Sequence, residues 1–109
     1  MKTKHNLKAY QDYVQKSAEE RGFDKLSAEQ RCLMLGEEVG ELFKAVRKAK
    51  GITVDTPSGK IEEELADVFL QTCAIANYFG INLEEAFENK QEKDEKRWQI
   101  PEKPETEAQ

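Results

Sequence analysis

The chain is poor in the residues that build most metal and redox sites: 109 residues contain one histidine and two cysteines, with one tryptophan and three prolines. Cys32 and Cys73 have no CxxC or Cys/His spacing, which argues against a zinc ribbon or thiol redox motif. Both fall in apolar helical patterns, so they are expected to be small buried residues in a reducing compartment. The opening MKTKHNLKAYQDY has no apolar stretch to serve as a signal core, and no segment is long and apolar enough to span a membrane. The expected location is the cytoplasm, with no membrane partner. There is no basic excess either: the net charge is −5, which argues against general affinity for a nucleic-acid backbone.

What is present is charge and apolar residues in near balance, 36% and 38% respectively. With few prolines and glycines, this balance fits amphipathic helices rather than a sheet or a disordered chain. Leu7, Tyr10, Val14 and Ala18 recur at three and four residue steps, predicting a helix to about Arg21 with Gly22 as its stop. Ser27 followed by Gln30 is a capping-box pattern that starts a long second helix through Cys32, Leu35, Val39, Leu42, Phe43 and Val46 to about Lys50. GITVDTPSG reads as a connection whose Ser58 caps a third helix from about Lys60 to Phe79. Asn82 with Glu85 opens a fourth, increasingly charged towards Trp98. The expectation is one all-α, four-helix bundle-type domain over residues 1–100, followed by a disordered PEKPETEAQ tail at 101–109. A domain this small gains from a shared interface, so oligomerisation is expected.

Two stretches depart from simple amphipathic patterning. GEEVGEL, residues 36–42, carries Glu37, Glu38 and Glu41 among apolar residues, and IEEELADVF, residues 61–69, carries Glu64 and Asp67. Residues three apart on a helix share a side, with Cβ atoms about 5 to 6 Å apart. At about 100° per residue, Leu35, Leu42 and Ala45 flank Glu38 and Glu41, while Ile61, Val68 and Gln71 flank Glu64 and Asp67. Each acidic pair therefore borders a packed face. Packed helices lie roughly 8 to 10 Å apart, so the two pairs can converge. Converging carboxylates repel, and must protonate or take up cations. An all-oxygen set selects hard ions, Mg²⁺ first with Mn²⁺ as a substitute. Di-iron bundles use Glu-x-x-His, and His5 lies far from both stretches, so iron is not expected. The same acids also read as a solvated face paired with Lys44, Arg47, Lys48 and Lys60.

Glu37-Glu38-x-x-Glu41, followed after 22 residues by Glu64-x-x-Asp67, resembles the paired acidic signature of the MazG-like, all-α nucleotide pyrophosphohydrolases. The resemblance extends over about residues 5–98. It implies that Glu38, Glu41, Glu64 and Asp67 bind Mg²⁺, and that a nucleoside or deoxynucleoside triphosphate is cleaved between its α and β phosphates. The products are then a monophosphate and pyrophosphate, in nucleotide-pool sanitation. It also implies a homodimer or tetramer with helices shared across subunits. The family's last helix tends to carry Lys, Asn and Arg near an aromatic residue. Here NKQEKDEKRW supplies Lys90, Arg97 and Trp98 for substrate binding, with Asp94 where the Asn is usual.

Clustered Mg²⁺ suits phosphoryl chemistry, which needs positioning and charge neutralisation more than covalent catalysis. Glu37 lies about 100° round the helix from Glu38, so it is expected to orient water or a neighbouring ligand, or to be a plain surface charge. Tyr13, Phe69, Asn77 and Trp98 are candidates for the edge of a base pocket. A different class of function fits the acidic face as well: a non-catalytic helical module that binds a basic partner.

Overall fold

Asn6 starts the first helix by accepting the Ala9 amide at 2.7 Å on its side-chain oxygen, satisfying one of the amides that a helix start leaves unpaired. The structure, a computed structural model, describes residues 6–52 and 57–98. His5, the 101–109 tail and residues 53–56 of the second connection lie outside them. The described residues form α1 Leu7–Arg21, α2 Ala28–Ala49, α3 Ile61–Tyr78 and α4 Leu83–Arg97, with no strand among them. The fold is all-α, as expected.

The local signals act much as the sequence indicates. Ser27 Oγ accepts from Gln30 N at 3.1 Å while Ser27 N donates to Gln30 Oε1 at 2.9 Å, a reciprocal capping box. Asn82 accepts from the Glu85 amide. Gly22 ends α1 at φ 80° and Gly80 follows α3 at φ 65°, left-handed conformations that glycine enters without a Cβ penalty. One cap differs. Ser58 does not cap α3, because the helix begins beyond its reach: Lys60 is the N-cap and makes no side-chain bond, while Ser58 Oγ is buried without a partner. The first turn instead carries Glu62, Glu63 and Glu64, whose charges favour a helix N-terminus.

α3 is the central element. It packs along α2 and against α1, and α4 packs against α1. Ala45 and Ala49 lie opposite Ile61 and Leu65, while Arg31 and Met34 lie opposite Leu70, Gln71 and Ala74, so α2 and α3 run antiparallel. Val14, Cys73 and Ala74 form the core, with Leu83 packed against it. Cys73 is fully buried, but Cys32 is exposed. The periodicity that suggested burial for Cys32 places it on an uncovered side of α2.

Gln11 joins three elements. Its Nε2 donates to Asn77 Oδ1 at 3.1 Å and to the Ile81 carbonyl at 2.8 Å, and its Oε1 accepts the Leu83 amide at 2.8 Å. Asn77 Nδ2 returns a bond to the Gln11 carbonyl at 2.9 Å. This buried network fixes α1 against the α3–α4 turn. Much apolar surface stays uncovered, including Leu33, Phe43, Phe87 and Trp98. The radius of gyration is 18.3 Å, against about 13 Å for a compact chain of this length. The helices are thus splayed rather than closed on one core.

Candidate metal centre

Antiparallel packing of α2 on α3 places Glu38 against the first turns of α3. One carboxylate oxygen from each of Glu38, Glu64 and Asp67 lies within 4.8 Å of the others. Glu64 is buried, at 8% exposure, Glu38 is half-buried and Asp67 is exposed. The site is therefore a shallow acidic notch with one well-covered carboxylate. Gly59 supplies part of that cover: a Cβ there would run into Glu64 Oε1.

The electrostatics follow from this crowding. Burial, then the charges of Asp67 and Glu64, then a hydrogen bond with the Asp67 side chain and the charge of Glu41 raise the Glu38 pKa above the usual carboxylate value. Burial, followed by Asp67, Glu41 and Glu63, likewise raises Glu64, with Lys44 offsetting part of the effect. Both carboxylates thus resist ionisation without a cation, as expected of an anionic cluster. An all-carboxylate set of this kind fits a hard divalent ion.

The expected residues divide into three groups. Glu38, Glu64 and Asp67 converge. Glu41 lies at the edge, 3.7 Å from Lys44 Nζ, close enough to raise both neighbouring carboxylates but outside the three-acid set. Glu37 is exposed beside it. Lys90, Arg97 and Trp98 all lie on the exposed part of α4 or at its end, and α4 packs on α1 with no comparable packing on α2 or α3. Lys90 Nζ sits 2.7 Å from Asp94 Oδ1, so the acid at the position where the family tends to carry Asn holds the lysine locally. The Arg97 guanidinium lies 5.5 Å from the Trp98 ring centroid.

Of the base-pocket candidates, Asn77 is committed to Gln11, and Phe69 meets Tyr10 edge-on with centroids 5.8 Å apart. Tyr13 lines a cavity of about 370 Å³ between α1, α2 and α3, together with Phe23, Arg31, Met34, Leu70 and Gln71. Sequence reasoning missed Arg31 and Gly59. Arg31 carries a signal, since it stands one turn before Leu35 on the apolar register of α2. Gly59 read only as a turn former.

Residues 26–99 match the model of the MazG nucleotide pyrophosphohydrolase domain. Two crystal structures of iMazG from Vibrio DAT 722 are similar to the chain. The N-tagged form is 31% identical with a TM-score of 0.66, over 88% of this chain and 100% of that one. The C-tagged form is 33% identical with a TM-score of 0.65, over 84% and 99%. No curated protein gives a significant match. The splayed all-α fold with an acidic notch between its central helices belongs to a class of nucleotide hydrolases, and this chain is a member of the MazG nucleotide pyrophosphohydrolase family.

Proposed function

We propose that the chain hydrolyses a nucleoside or deoxynucleoside triphosphate between the α and β phosphates, releasing the monophosphate and pyrophosphate. The observation that carries this reading is the convergence of Glu38, Glu64 and Asp67 from two helices within 4.8 Å. Glu38, Glu64 and Asp67 would hold Mg²⁺, with Mn²⁺ as a substitute, and Glu41 would join them by leaving Lys44. A half-exposed pair such as Glu41 and Lys44 is worth about 1 kcal/mol, so the exchange is easy. An ion held by these carboxylates would supply phosphate charge neutralisation and water activation. Glu37, exposed one residue before Glu38, orients water at the edge of the site.

Lys90, Arg97 and Trp98 bind the phosphates and nucleoside across a subunit boundary, since α4 packs on α1 rather than on the two helices that carry the acids of its own chain. The homodimer or tetramer this requires is supported by the splayed helices and the exposed Leu33, Phe43 and Phe87, which need cover in water. Light scattering at micromolar concentration is expected to give at least a dimer. A monomer would remove the shared site.

The activity is tested with a panel of nucleoside triphosphates and Mg²⁺, scored for pyrophosphate against orthophosphate. Pyrophosphate as the first product supports the reading, and orthophosphate would contradict the cleavage position. A protein whose melting point ignores Mg²⁺ and which turns over no nucleotide would instead be an acidic interaction module.

A further inference from the structure

Gln71 and Arg31 are buried polar residues, each with a side-chain atom left unpaired among the described residues. Gln71 is 8% exposed and Arg31 7%, yet Gln71 Oε1 and Arg31 Nε have no hydrogen-bond partner. The Arg31 guanidinium is anchored through Nη2, which donates to the Phe23 carbonyl at 2.7 Å. A buried acceptor or donor without a partner costs about 1 to 3 kcal/mol, so each such atom calls for an explanation. Both side chains line the same cavity of about 370 Å³.

The cavity adjoins the acidic notch. Gln71 follows Asp67 by four residues on α3, and Met34 precedes Glu38 by four on α2, so its near wall starts about 5.4 Å, one helical turn, from the carboxylates. Tyr13, Phe23, Met34 and Leu70 supply apolar and aromatic walls. Small-molecule pockets have this make-up: a volume of about 300 to 1,000 Å³, apolar lining and a few convergent polar groups.

We propose that Gln71 is a specificity-determining residue, whose amide oxygen reads the hydrogen-bonding edge of the substrate's nucleobase in this cavity, with Arg31 Nε as the complementary donor. A nucleobase edge sets N–H donors beside ring-nitrogen or carbonyl acceptors, the complement of one free acceptor and one free donor. Its ring faces suit the apolar walls. The proposal rests on the reading that the phosphates of the same nucleotide lie at the acidic notch, with the pentose spanning the turn between.

The test compares the parent with Gln71→Leu, of similar size but without the amide. The readouts are kcat and KM for the four 2′-deoxynucleoside triphosphates with Mg²⁺, and Mg²⁺ affinity by calorimetry. Losing one hydrogen bond to the base is expected to raise KM for the preferred base about tenfold. The kcat values and the Mg²⁺ affinity stay near parental, and the spread among bases narrows. An unchanged ranking with unchanged KM overturns the role of Gln71. Should Gln71→Leu fail to fold, Ser17→Phe narrows the cavity from its partly exposed α1 wall. It is expected to raise KM for all four nucleotides at parental Mg²⁺ affinity, and parental KM values overturn the proposal. A parent that cleaves nucleotides while either variant behaves as the parent refutes this inference alone. A parent that cleaves none of the four, nor any of the corresponding ribonucleoside triphosphates, refutes the proposed function with it.

Discussion

Glu38 on α2 and Asp67 on α3 present carboxylate oxygens within 4.8 Å of each other and of Glu64, although the two residues stand 29 positions apart in the sequence. Beyond a hydrogen bond between the two carboxyls, nothing on either side chain draws them together. The apolar contact of two antiparallel helices holds them there against their mutual repulsion, and a divalent cation would turn that repulsion into binding.

Glu64→Gln separates metal binding from structural ion pairing. The substitution keeps size and hydrogen-bonding reach but removes the best-covered charge of the notch. Turnover with Mg²⁺ is expected to fall by about 10³ or more, because metal coordination positions both water and phosphate. With chelator present, the variant should melt at or above the parental temperature. Near-parental turnover would exclude Glu64 as a ligand.

The metal-free protein should lose stability as pH rises through the raised values of Glu38 and Glu64. In the unfolded chain these carboxyls ionise at their ordinary pKa, whereas in the fold they hold their protons to higher pH. The folded state therefore binds more protons across that interval, and stability falls with increasing pH. The contribution is complete below the ordinary value and gone above the raised one. Melts of parent and Glu64→Gln in chelator across this range isolate the effect, because the difference between them should shift in favour of the variant as pH rises. A difference independent of pH would refute it.

Gly59→Ala is expected to weaken Mg²⁺ affinity about tenfold while sparing the fold. The new Cβ meets the Glu64 carboxylate end, a flexible group that can swing aside at little structural cost but then leaves its position beside Glu38 and Asp67. Disturbing a group that holds a metal ligand in place commonly lowers metal affinity by about 10- to 100-fold. Calorimetry with Mg²⁺, run beside a denaturant titration, distinguishes the two effects. Parental affinity would mean that Glu64 needs no such clearance.

Gln11→Leu should cost about 2 to 4 kcal/mol, since it strips partners from Asn77 Oδ1, the Ile81 carbonyl and the Leu83 amide at a buried junction. Urea unfolding measures it directly. A loss below about 0.5 kcal/mol would place these groups in contact with water.

The helices themselves were legible in the sequence. Gly22, Ser27 with Gln30, Asn82 with Glu85 and the three and four residue apolar steps are local signals, and local hydrogen bonding enforces them. The acidic stretches were legible too, because Glu38, Glu64 and Asp67 sit beside apolar residues on a helix whose period is known. Tertiary packing decided the rest. It selected Glu38, Glu64 and Asp67 as the converging set and left Glu41 with Lys44, since which rotamers meet depends on how α2 lies on α3. It exposed Cys32 and committed Asn77 to Gln11, because an apolar pattern identifies a face without saying what covers it. It also put Lys90, Arg97 and Trp98 on a helix that packs against α1 rather than against the acidic pair. The sequence thus determined elements and charges by local chemistry, while the assembly of those charges into a notch depended on contacts between residues far apart in the chain, whose geometry only the folded helices define.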